Sequence, residues 1–179
     1  MQRQLADLRT ALAIATILDR VVILPRFRCT GKRTGGVLAD CPLNALLGMT
    51  AFDAGFASRY RESSFLRHPL VPDAVRRSVS PRHVLATSTT GKTAAASTHH
   101  TNTTTRVVVH RISTDSISED QLRQLLGADT HRVLSLASLK NVHVTFTSAA
   151  RQNSFDKTVN ASFKRSDYRQ LAKPTNVFS

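Results

Sequence analysis

The feature that most constrains this chain is a helix that runs straight into a buried strand. Leu5, Leu8, Leu12, Ala15 and Leu18 recur at helical spacing, and Ile14 and Ile17 make the second half of the stripe apolar nearly all round. Asp19-Arg20 ends the stripe. Val21-Val22-Ile23-Leu24 then forms an unbroken, mostly β-branched run stopped by Pro25. A strand without polar alternation is one covered on both faces, as in a parallel sheet. A helix feeding directly into such a strand is the second half of a βαβ unit, so the first strand of that unit is expected before Met1.

The same grammar returns later. Val107-Val108-Val109 reads as a second buried strand, Ser118 to Gln121 as a capping box, and Leu122, Leu125 and Leu126 as the buried face of a helix closed by Gly127. Val133-Leu134-Ser135-Leu136 is a third strand, which makes a βαβ crossover of roughly 30 residues. Val142 to Phe146 alternates, as an edge strand or a strand-like loop would. Between the two halves, Arg26 to Cys41 reads as a basic, Gly-containing loop, Pro42 opens a short helical turn, and residues 59 to 72 read as irregular chain anchored by a few apolar side chains. From Ser78 to Thr105 the composition turns to Ser, Thr, Ala and His, too little apolar surface to offset chain entropy. The tail from Arg151 is mixed and basic, with Phe155, Phe163 and Tyr168 as anchors. The expected fold class is α/β: a partial parallel-sheet, Rossmann-like layer with flanking helices and a disordered insert. The expected division is an α/β segment over 1–77, a low-complexity linker over 78–105, and a βαβ segment with a basic tail over 106–179.

Lys and Arg number 25 against 12 Asp and Glu, a formal charge of +13. Such a balance suits anionic partners, but the basic residues are dispersed, with no zinc spacing and no basic-aromatic repeat that would stack bases. Nucleic acid is therefore not expected as the native partner. No apolar run approaches the roughly 20 residues of a membrane helix, so no span is expected. Gly91-Lys92-Thr93 ends like a phosphate-binding loop, yet Ala86 stands where the loop's first glycine belongs, and the segment reads as linker. His99-His100 has no neighbouring carboxylate or thiol to complete a metal site. No Asp-x-Asp pair and no G-x-S-x-G elbow occur, so no metal site is expected within the chain and residue patterns alone name no reaction.

The two cysteines, Cys29 and Cys41, flank one Gly-containing loop. They read either as separate thiols or as a disulfide, which in an oxidising compartment would be worth roughly 3 kcal/mol. Two sequons, Asn102-Thr103-Thr104 and Asn160-Ala161-Ser162, mark Asn102 and Asn160 as candidate glycosylation sites of a secretory protein.

Three segments, taken in order, resemble a known family. Leu8-Arg9-Thr10-Ala11-Leu12-Ala13-Ile14-Ala15 through Leu24-Pro25-Arg26-Phe27, then Cys41-Pro42-Leu43, then Arg61-Glu62-Ser63-Ser64-Phe65-Leu66, are similar to the C-terminal part of the plant and algal arabinosyltransferases of hydroxyproline-rich glycoproteins. The resemblance covers roughly residues 4 to 77 and 106 to 160. It implies the C-terminal portion of a glycosyltransferase that moves a sugar, such as arabinose, from a nucleotide sugar to a cell-wall or surface glycoprotein in the Golgi lumen. It also implies that the metal-binding Asp pair, with manganese as the expected metal of a full-length enzyme, belongs to an N-terminal catalytic region outside this chain. Arg26 and Arg28, just past the first strand, and His110 and Arg111, just past the second, stand where cations could neutralise a diphosphate. Other readings are a protein O-fucosyltransferase-like enzyme, a pseudoenzyme fragment, or a non-catalytic basic binding module.

Overall fold

The computed structural model describes residues 2–30, 38–41, 43–45, 47–87, 97–99, 107–112, 116–139 and 142–163. Helix α1 (Gln2–Leu18) occupies the predicted stripe, with Leu5, Leu8, Leu12, Ile14 and Ile17 essentially inaccessible to solvent. Its end has a clear cause. Asp19 takes a left-handed backbone, φ 53°, which a short polar side chain tolerates. That turn lets the Arg20 amide donate back to the Ala15 carbonyl at 3.0 Å, a Schellman closure. Strand β1 (Val21–Ile23) follows at once.

The main sheet has six strands in the order β4-β1-β9-β5-β7-β6. Here β4 is Tyr60–Arg61, β5 Val79–Thr87, β6 Ser97–His99, β7 Val107–Ile112 and β9 Val133–Ser138. All neighbours are parallel except β6, which pairs antiparallel with β7. Two small ladders accompany it: an antiparallel hairpin of β2 (Phe27–Thr30) with β3 (Leu38–Cys41), and a parallel pair of β8 (Ser116–Ser118) with β10 (His143–Thr145). The helices are α2 (Met49–Phe56), α3 (Asp73–Arg77), α4 (Glu119–Leu126) and α5 (Ala149–Ser162). The fold is therefore α/β with a mostly parallel, Rossmann-like sheet flanked by helices, as the sequence leads one to expect.

Helix α1 packs on β1, touches α4 and β10, and is held to the residue before β10 by the Thr10 hydroxyl, which donates to the Val142 carbonyl at 2.8 Å. On another side Arg9 pairs with Asp156 of α5 and lies over the Phe155 ring. Helix α2 then packs on α5 through Phe52, Phe56, Phe155 and Phe163. The capping box at α4 is present as read: Ser118 accepts from the Gln121 amide, and the Gln121 side chain accepts from the Ser118 amide.

Three expectations need correcting. The stretch from Arg26 to Cys41, read as a loop, carries the β2–β3 hairpin, and residues 59 to 72, read as irregular, contain β4. Residues 79–87, read as part of a disordered linker, form β5, which lies between β7 and β9 in the sheet. Pro81 argues against a central strand because it has no ladder donor. The strand accommodates it at an irregularity: the register with β9 steps from Val79↔Val133 to Arg82↔Ser135, so the proline sits in a bulge. Ser80 mends the ladder there, its Oγ accepting from the Ser135 amide at 2.9 Å. The rest of 78–105, apart from Ser78 itself and β6, lies outside the described residues.

Candidate functional site

Parallel α/β sheets carry ligands beyond the C-terminal ends of their strands. At that edge, over β1 and β4, is a crevice lined by Leu24, Pro25, Arg26, Phe27, Leu43, Glu62 and Ser63. Each wall has a local cause. Pro25 stops β1, and the chain turns into the hairpin at the buried Phe27. Leu43 opens a 3-10 turn, and Glu62-Ser63 follow β4. Arg26 is exposed at the rim and Glu62 partly so, which places one cation and one anion on the same mouth. The cavity measures about 40 Å³, well short of the roughly 300 Å³ or more of a pocket that buries a small ligand.

The four cations singled out in the sequence belong to two places in the sheet. Arg26 and Arg28 belong to the β1–β2 corner, whereas His110 and Arg111 lie in β7. Three interstrand steps separate β1 from β7, about 14 Å at the usual spacing. The side chains of Arg28 and Arg111 lie outside the described residues. In the β2–β3 hairpin Cys29 pairs with Ala39 and Cys41 with Phe27. Their side chains too lie outside the described residues, as does Asn102. Asn160 is exposed on α5, but the Ser162 hydroxyl of its sequon is buried and donates to the Thr158 and Ala51 carbonyls.

His110 is in a different setting from the one expected. The parallel pairing of β7 with β5 continues to Ile112↔Thr87, so His110 lies within the strand, not past its end. It is 5% exposed. Its Nε2 is 3.0 Å from His83 Nδ1, and His83 Nε2 is 2.9 Å from Asp129 Oδ2. The other Asp129 oxygen accepts from the His131 amide at 2.8 Å and from its Nδ1 at 2.7 Å. Burial, and then the neighbouring His83, push the His110 pKa down to about 4, so at neutral pH it carries no charge for a phosphate to meet. Burial alone would raise the Asp129 carboxyl, but the donors from His131 and His83 outweigh it and hold the group below the usual carboxylate range. Sequence reasoning missed His83 and Asp129 because they meet only through the fold, whereas the Asp129–His131 contact is local, two residues apart, and Asp-x-His is the one signal that could have pointed here.

Among the described residues no cluster of three or more His, Cys, Asp or Glu groups is arranged to hold a metal ion, and no helix is long and apolar enough to cross a membrane. The chain matches no protein-family model, no curated protein and no solved structure.

Proposed function

We propose that the chain is the C-terminal α/β portion of a glycosyltransferase that moves a sugar from a nucleotide sugar to a wall or surface glycoprotein in the secretory pathway, with the metal-binding and catalytic residues contributed by a separate N-terminal region. One observation carries the reading. The three segments that resemble the arabinosyltransferases are well separated in sequence, yet Leu24 to Phe27, Leu43 and Glu62-Ser63, one group from each, line a single crevice at the C-terminal edge of the parallel strands. That edge is where an α/β fold binds a nucleotide. In this reading Arg26 faces the diphosphate as a point of charge attraction, and a carboxylate such as Glu62 suits sugar hydroxyls.

The role of Arg26 is checked by titrating the chain with nucleoside diphosphates. Binding is expected to be weak, to fall steeply as salt screens charges beyond about 8 Å, and to drop several-fold in Arg26→Ala. No binding of any nucleoside diphosphate would favour the second reading, a basic binding module, to which the small volume of the crevice and the presence of Glu62 lend weight. Turnover of labelled nucleotide sugars by the chain alone, with or without manganese, is expected to be nil. Robust metal-dependent transfer would refute the division of labour proposed here.

A further inference from the structure

The buried histidines suggest a device that does not depend on the transferase reading. An ionised carboxylate only accepts hydrogen bonds, so His83 must present Nε2–H to Asp129. In the neutral ring its Nδ1 is then an acceptor, and His110 must present Nε2–H to it. That leaves His110 Nδ1 as a bare acceptor, and among the described residues this buried atom has no partner. The ring centroids are 5.2 Å apart and the planes 27° apart, so the rings meet edge to edge, as a hydrogen bond between ring nitrogens requires.

Adding a proton to either of the two paired rings breaks this arrangement. A proton on His110 goes to Nδ1, placing a donor where the described residues offer no acceptor. A proton on His83 Nδ1 turns that atom into a donor, so His110 Nε2 must become the acceptor and its hydrogen must again move to Nδ1. Both routes end with the same orphaned N–H in a buried site. The described charged and titratable groups around the pair are Asp129 and His131 in the turn between α4 and β9, and Arg20 behind them, 4.0 Å from Asp129 and bonded to the Leu126 carbonyl at 3.2 Å. Strand β9 faces His83 with Leu136, which carries no charge.

We propose that His83, His110 and Asp129 form an acid-released latch that holds the turn of residues 127–132 against β5 and β7. Above the ordinary histidine range the latch is shut. The folded His110 pKa of about 4 lies below the ordinary 6.5, so the unfolded or unlatched state takes up the proton first. The stabilisation is complete above 6.5 and is lost as pH falls from there toward 4.

The chain contains no tryptophan, so a single Ala128→Trp, at an exposed position of the turn, reports on the turn alone. Its emission is expected to change between pH 6.5 and 4 while far-ultraviolet dichroism stays constant, and His110→Phe in the same background is expected to abolish the change. An unaltered transition in His110→Phe, or loss of dichroism at the same midpoint, would overturn the latch. Nitrogen-15 shifts of the imidazoles in the unsubstituted chain give a second reading that needs no variant to fold. His110 is expected to be protonated on Nε2 only at pH 7; a proton on Nδ1 would equally overturn the proposal.

Discussion

Arg9 shows how one residue can be tied to the fold without any local sign of it. Its side chain is 12% exposed and its carboxylate partner Asp156, 147 residues away, is 13% exposed. Asp156 also accepts from Gln152 at 2.9 Å, while Arg9 Nε has no partner among the described residues. Removing one member of such a pair strands a charge in the contact between α1 and α5. Asp156→Ala is expected to lower the unfolding free energy by about 3 kcal/mol. Replacing both, as Arg9→Met with Asp156→Leu, is expected to recover most of it because no charge is then left uncompensated. Urea denaturation of the three variants checks the claim, and a double variant no better than the single one would contradict it. Nothing in the sequence marks this pair. The helical stripe of α1 is legible because its period is local, whereas Arg9 falls on that helix as one more basic residue, and His110 likewise looked like the end of a strand because its partner His83 sits in a segment that reads as linker.

The elements themselves were legible in proportion to how far local pattern decided them. The stripe of α1, the β-branched runs of β1 and β7, the capping box of α4 and the run of β9 all stand where periodicity and caps place them. Strand β5 was not legible, since Pro81 and the Ser, Thr and His around it obey long-range needs that only β7 and β9 supply. Helix α5 was hidden by a weak apolar pattern, although Phe155, Val159 and Phe163 are spaced along one face and all buried. The contact of α5 with α2 depends on a close approach at Gly55, where an added Cβ would come within 2.6 Å of Thr158 Cγ2. Threonine is stiff at χ1 and cannot swing away freely. Gly55→Ala should therefore destabilise by about 1 kcal/mol net, against the roughly 1 kcal/mol that alanine gains from helix propensity. Gly55→Ala combined with Thr158→Ala should reverse the sign. Thermal melting of both variants decides it; a stabilising single substitution would show that the helices have room to move apart.

At the scale of the whole molecule, the fold class could be read from two helix-to-strand passages, but the order of the strands could not. Sequence suggests that β7 and β9, joined by α4, are partners; in the sheet β5 separates them. The crevice is not legible in the sequence: Arg26 follows a strand run that local pattern marks, but Leu43, Glu62 and Ser63 come from segments whose meeting needs the full sheet.

The position of β9 has a consequence for how the chain is made. Among the described strands, β1 with β4 and β5 with β7 and β6 share no ladder of their own; β9 joins the two groups, its first residue Val133 pairing with both Val21 and Val79. As the chain leaves the ribosome, N-terminus first, it therefore passes through a long interval in which two half-sheets exist with open inner edges. Closure waits for a segment synthesised over a hundred residues after β1, so nucleation is non-local and slow for the chain length. During that interval the exposed edges are templates for other chains. A nascent chain stalled at residue 132 is expected to be more sensitive to protease and to sediment more readily than one stalled at 163, with α4 present in both. Equal behaviour of the two would mean that the half-sheets are joined by something other than β9.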